Sequence, residues 1–179
     1  MWSKTKKALE SRLADCLRDR VYYTFARHIY YDNQWDYQFP IFYIRVDKET
    51  WFATNPQWND KVAEYASKLS GRKYDGYYGS RNGVFKEAVD MATKEMGTLD
   101  MFGYTEHEDY LMEMVHNYLN VYPIEECMNQ DNYFYRILAV LDRRTSKRKI
   151  KALLDNINNE PEWFRKYITL RATAQNIIQ

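Results

Sequence analysis

The chain is poor in four residue types: its 179 residues include two cysteines, three histidines, four prolines and six glycines. Cys16 and Cys127 are too few for a disulfide framework, and they lack the paired CxxC spacing of a zinc or redox site. They are expected to be buried thiols of a reducing, cytoplasmic protein. No stretch reaches the ~18 apolar residues of a membrane span. The basic start Met1-Trp2-Ser3-Lys4-Thr5-Lys6-Lys7 has no apolar run behind it, so neither export nor a membrane is expected. His28 and His107 have no Ser or Cys partner at a readable spacing. The segment Gly76-Tyr77-Tyr78-Gly79-Ser80-Arg81-Asn82-Gly83 matches neither a phosphate loop nor a dinucleotide fingerprint. No catalytic residue, cofactor or metal is therefore expected, and the chain is read as a non-enzyme.

Aromatic side chains are abundant: 17% of the chain, with seventeen tyrosines. Together with the near balance of charge they exclude disorder. A tyrosine excess suits either a half-buried core and rim or a recognition surface; intermediate burial, the general habit of tyrosine, favours the first. The length fits one domain, residues 1–179.

The net charge of +1 hides a segregation. Lys and Arg against Asp and Glu number 9 against 8 in residues 1–60, 7 against 13 in 61–135, and 10 against 4 in 136–179. From Glu95 to Tyr135 there are nine carboxylates and no Lys or Arg. Blocks of one sign attract the opposite sign, so the function is expected to be binding, unless the two blocks face one another within the fold.

Periodicity supplies the elements. Ser3 caps a helix carrying Leu9, Leu13, Cys16 and Leu17 on one face and ending near Arg18. Alternating β-branched and aromatic residues predict strands over Arg20–Tyr31, Pro40–Val46 and Thr50–Thr54, the last two joined as a hairpin at Asp47-Lys48-Glu49. Asn55-Pro56 opens a helix with Trp58, Val62, Tyr65, Ala66 and Leu69 on one face and Gly71 as its stop. Arg72 to Gly83 reads as a mobile loop and candidate recognition element. Phe85, Ala88, Val89, Ala92 and Met96 predict the next helix. Thr105 with Glu108 makes a capping box before Leu111, Val115, Tyr118 and Leu119. Three more helices are expected around Phe134–Leu141, Ile150–Ile157 and, from Pro161, Trp163–Ile168. The fold class is α+β: an N-terminal helix, a three-stranded antiparallel meander, then a mainly helical C-terminal part packed on the sheet.

Two charged surfaces are the candidate sites. Glu106, Glu108, Asp109, Glu113, Glu125 and Glu126, with Tyr77, Tyr78 and Tyr110 as aromatic contacts, form an acidic face suited to a partner protein with a basic surface. Arg143, Arg144, Lys147, Arg148, Lys149 and Lys151 lie where one helix ends and the next begins. Cations in the first turn oppose the helix dipole, a placement that makes sense where an anion sits, be it a nucleic-acid phosphate or the chain's own acidic segment. The join superficially suggests a helix-turn-helix, but no glycine marks the turn. Asp109, Glu113 and His116 share a helical face, yet a di-iron carboxylate bundle needs a second Glu-x-x-His step.

At Trp2-Ser3-Lys4, Leu141-Asp142-Arg143-Arg144-Thr145-Ser146-Lys147-Arg148, and Pro161-Glu162-Trp163-Phe164 through Leu170-Arg171, the chain resembles a family of small uncharacterised bacterial proteins. Similar proteins occur among mobile gene cassettes and near toxin genes, so the resemblance implies a toxin-neutralising or accessory role. Where that family often has Gly in the basic turn, this chain has Ser146, so the turn is not required to adopt a left-handed conformation there. The same motifs have a structural reading: Asp142 pairs with an arginine and Trp163 locks the last helix on the core. The first functional expectation is an immunity-type inhibitor of a basic bacterial toxin. The second is a nucleic-acid-binding protein using Arg143–Lys151, and a structural or accessory protein is the third.

Overall fold

The computed structural model describes residues 2–31, 36–54, 57–71, 87, 88, 91 and 108–178, with side chains described at 2–26, 41–54, 61, 63–71, 87, 88, 91 and 111–178. These group into two compact units, one of residues 1–26, 42–53 and 111–179, the other of residues 27–41 and 54–110. The architecture is α+β: an N-terminal helix, an antiparallel sheet in the order β1-β2-β3, then a mainly helical C-terminal region.

In the first unit, α1 (Trp2–Arg12) stops six residues before the expected end at Arg18. The reason is tertiary. Leu13 leaves the helix to form an antiparallel bridge with Asp142, Ala14 N donates to Leu141 O (2.9 Å), and Arg143 N donates to Arg12 O (2.7 Å). A 3-10 turn, Asp15–Leu17, then leads into the sheet.

The strands are β1 (Val21–Tyr31), β2 (Asp36–Val46) and β3 (Glu49–Ala53). Asp47 and Lys48 both have positive φ (50° and 75°), the conformation of a two-residue hairpin turn that follows strand twist. Lysine is an unusual occupant, and the turn is tied down from outside: Arg20 donates to Asp47 Oδ1 (3.0 Å) and Asp47 N to Arg20 O (2.8 Å). The β2–β3 register shifts between Ile44 and Arg45, leaving Trp51 as the extra residue of a bulge. Its carbonyl turns to the C-terminal helix, accepting from Lys166 Nζ (3.2 Å) and Tyr167 Oη (3.0 Å).

The helices that follow are α3 (Glu108–His116), whose residues from Leu111 on belong to this unit, α4 (Ile124–Asn129), α5 (Tyr133–Leu141), α6 (Lys147–Asp155) and α7 (Glu162–Ala174); α2 belongs to the second unit. A π-helical turn, Asn117–Val121, continues α3. Helix α4 was not separable in the sequence, where its six residues sit between Pro123 and the stronger stripe of α5. Side chains of α5 and of the strands meet: Phe42 contacts Phe134 at 5.7 Å between ring centroids, and Phe52 contacts Phe134 at 6.2 Å. The helical part thus packs on the sheet, as the apolar patterns imply. Trp163 is half-buried and stands edge-on to Tyr133 at 4.9 Å, the contact expected to hold the last helix.

In the second unit, α2 (Gln57–Ser70) buries Ala66, half-buries Tyr65 and leaves Leu69 38% exposed. It ends at Gly71, whose φ of +67° is the left-handed stop that only glycine adopts without strain. A Cβ there would meet nothing within 4 Å. Gly71→Ala is therefore expected to cost about 1 kcal/mol from backbone conformation alone, checked by urea denaturation. Ala88 is buried; the remaining positions of that stripe and the loop 72–83 lie outside the described residues.

Candidate functional site: a basic helix start over a buried polar turn

The turn joining α5 to α6 is organised by Asp142, which is 1% exposed. Its Oδ1 accepts from the backbone N of Arg144 (2.7 Å), and its Oδ2 accepts from Tyr118 Oη (2.5 Å) and from Arg144 Nε (3.0 Å) and Nη2 (2.7 Å). The expectation that Asp142 pairs with an arginine is met, and the arginine is Arg144. Its guanidinium also lies 5.5 Å from the Tyr118 ring centre. Against the opposing pull of burial, the hydrogen bonds and charge of Asp142 hold Arg144 above the ordinary guanidinium range. Burial, with Tyr23 and Asp142 nearby, pushes the Tyr118 phenol well up. Arg144 is thus engaged in the fold, unlike the other cations of its run.

On the other side of the same turn lies Arg171 of α7, 2% exposed. It donates from Nη2 to the carbonyls of Asp142 (3.3 Å) and Thr145 (3.4 Å), and from Nη1 to Cys16 Sγ (3.5 Å). It forms no ion pair among the described residues, and its Nε has no hydrogen-bond partner there. Burial draws its pKa down from the ordinary guanidinium value, and Cys16 and Asp142 offset part of that. The sequence offered no signal for a buried arginine here, since Arg171 sits on α7 like any polar residue of an amphipathic pattern.

Ser146 begins α6 with φ −71° and ψ 155°, an extended N-cap whose hydroxyl accepts from Lys149 N (3.3 Å); no left-handed residue is needed. The first turn of α6 has no acid and carries Lys147, Arg148 and Lys149. Those three, with Arg143 before them and Lys151 after, are all exposed, and none makes an ion pair among the described residues.

The acidic candidates are less fully defined. Glu106, Tyr77 and Tyr78 lie outside the described residues; Glu108, Asp109 and Tyr110 are placed on α3 by backbone only. Glu113, Glu125 and Glu126 are exposed, without an ion pair among the described residues. Val121, between Glu113 and Glu125 in the chain, is 55% exposed at the end of the π-helical turn. Among the described residues His116 meets Asn120, whose Nδ2 lies 3.2 Å from its Nδ1. Among the described residues, no three His, Cys, Asp or Glu side chains gather as a metal site.

The two cysteines differ, against the expectation that both are buried. Cys16 is exposed; Cys127 is buried in α4, and burial pushes its thiol up to about 11. Alkylation by N-ethylmaleimide near neutral pH is expected to modify Cys16 at least about tenfold faster than Cys127, since the thiolate is the nucleophile. Peptide mapping by mass spectrometry checks this; equal rates would contradict the assignment.

Among the described residues no helix is long and apolar enough to cross a membrane. The chain belongs to the SF0329 protein family, whose model matches residues 1–172. No curated protein and no solved structure matches it.

Proposed function

We propose that this member of the SF0329 protein family binds nucleic acid through the start of α6, with Arg143, Lys147, Arg148, Lys149 and Lys151 contacting phosphates. One observation carries the reading: these five cations are exposed and without an ion pair among the described residues, at a helix end that is already positive. Cations in that first turn destabilise the isolated helix by a few tenths of a kcal/mol each. A polyanion turns the cost into attraction. The near-neutral total charge does not oppose this, because the field at a surface follows the local block and not the sum.

With five phosphate contacts, single-strand binding is expected to fall with salt at a log–log slope of about −3.5. Fluorescence anisotropy with a labelled 5′-hydroxyl oligonucleotide is the test. The combined variant Arg148→Glu, Lys149→Glu and Lys151→Glu is expected to lose at least about 30-fold in affinity and to flatten the slope by about 2. The three side chains are exposed, so the fold should be retained, as circular dichroism would verify. Undiminished binding by that variant would overturn the reading.

A second reading keeps the acidic face as a protein-docking surface for a basic partner, of which an immunity-type inhibitor would be one form. Val121 favours it, an exposed aliphatic four residues before Glu125 in the chain, since interface centres are apolar with a charged rim. Glu113→Lys with Glu125→Lys separates the two, because it weakens a basic partner and leaves nucleic-acid binding intact or stronger.

A further inference from the structure

Beside the start of α6 a cavity of about 340 Å³ opens between the 3-10 turn after α1 and the end of α7. Arg143, Lys147 and Arg171 contribute three cations to its wall. Cys16 and Gln175 lie beside them, and the single acid, Asp15, is held by Arg18 at 2.7 Å. Two features are unexplained by the fold. Arg171 carries its charge into the interior with only neutral hydrogen-bond acceptors, and the nearby Asp142 carboxylate is already engaged by Arg144, so the buried charge is costly. Arg171 Nε and Gln175 Oε1 are both buried without a hydrogen-bond partner among the described residues. Buried polar atoms are nearly always satisfied, so the Arg171 Nε donor beside a cavity calls for an acceptor, which a water or an anion supplies.

The geometry points to a binding pocket for one phosphomonoester dianion, held between Arg143 and Lys147 at the mouth and Arg171 at the floor. Two negative charges suit three cations better than the single charge of a phosphodiester does, and a dianion supplies the ion pair that Arg171 does not make among the described residues. The pocket extends the anion-binding reading of α6 and is separable from it, since Arg148 and Lys149 do not line the cavity. Lys151 lies one turn beyond Lys147 on the same helix face, positioned for the next phosphate of a strand. The phosphomonoester could therefore be the 5′ end of a nucleic-acid strand or a free small phosphate.

The test is a titration of the full chain with inorganic phosphate, followed through the Arg171 Nε–Hε resonance in a ¹H–¹⁵N spectrum and through the alkylation rate of Cys16. A saturable shift of that resonance with slowing of Cys16 alkylation is expected. Arg143→Gln with Lys147→Gln should weaken phosphate binding at least about tenfold, the loss of one or more charge-assisted hydrogen bonds. Arg148→Gln with Lys149→Gln should leave it within about twofold, since these side chains lie outside the wall. All four are exposed, so none should unfold the chain. A parallel arm compares oligonucleotides bearing a 5′-phosphate or a 5′-hydroxyl: about tenfold tighter binding of the first assigns the pocket to strand ends. Equal binding of the two, with phosphate still saturating, assigns it to a free phosphomonoester. Absence of a saturable shift, or equal losses from both pairs of substitutions, would overturn the pocket. The 5′-hydroxyl arm reports on the α6 run independently of that result.

Discussion

Asp142→Ala is expected to remove about 3–5 kcal/mol of folding stability, the usual cost of breaking one side of a buried, hydrogen-bonded ion pair. The carboxylate holds four contacts at once: the backbone N of Arg144, two guanidinium nitrogens of Arg144, and Tyr118 Oη. After truncation Arg144 can swing to water, because its side chain is 26% exposed. Tyr118 cannot; it is 1% exposed and would keep only a long bond to Leu138 O at 3.3 Å. The turn would loosen too, and with it the bridge that ends α1 at Leu13. Asp142→Asn preserves the acceptor for Arg144 N but loses the charge, so about 2–3 kcal/mol is expected. Urea denaturation followed by tryptophan fluorescence gives both numbers. A loss below about 1 kcal/mol for the alanine variant would show that the cluster is a dispensable surface pair.

Phe42→Ala should be comparably severe, about 3–5 kcal/mol, because the site cannot collapse around the lost ring. Phe42 is fully buried on β2 and its ring stands among Tyr23 at 5.8 Å, Phe25 at 4.9 Å, Phe52 at 6.1 Å and Phe134 at 5.7 Å. Those four come from three elements besides β2, so one deletion weakens both the cross-strand contacts and the seat of α5. Each ring pair adds about 0.5–1.5 kcal/mol beyond area burial, and several are lost together. Phe42→Leu keeps most of the volume and is expected to lose less than half as much. The same denaturation experiment decides, and equal effects of leucine and alanine would show that ring geometry outweighs volume.

The tyrosine excess resolves in part through such packing. Tyr23, Tyr118 and Tyr167 are among the largest fully buried side chains, and Tyr133, Tyr135 and Tyr122 meet other rings. Apart from Tyr22, which is 42% exposed, the tyrosines with described side chains are buried or half-buried, the use that their intermediate polarity favours. Burial pushes the phenols of Tyr23 and Tyr167 well up, in keeping with interior positions.

Both charge blocks were visible in composition, and their exposed members follow from that alone. Arg144 could not be told from Arg143 in sequence, because the distinction depends on which of two neighbours faces Asp142 and Tyr118. The cavity at Arg143 and Lys147 was invisible for the same kind of reason: its floor is supplied by Arg171 and its wall by Cys16, 155 positions apart.

What the sequence determined by itself are the features set within a few residues. Alternation defined the strands, apolar spacing defined α2, α5, α6 and α7, Gly71 stopped α2, and Ser146 capped α6. Each depends on backbone conformation or on one amphipathic face, which adjacent residues dictate. The early end of α1, the bulge at Trp51, the burial of Asp142 with Tyr118 and the burial of Arg171 were decided only in three dimensions. They are answers to where a buried donor or acceptor finds its partner, and that partner is 24 residues away for Tyr118 and Asp142 and 116 away for Trp51 and Tyr167. Local propensity carries no record of such distances, whereas the cost of an unsatisfied polar group in the interior enforces them.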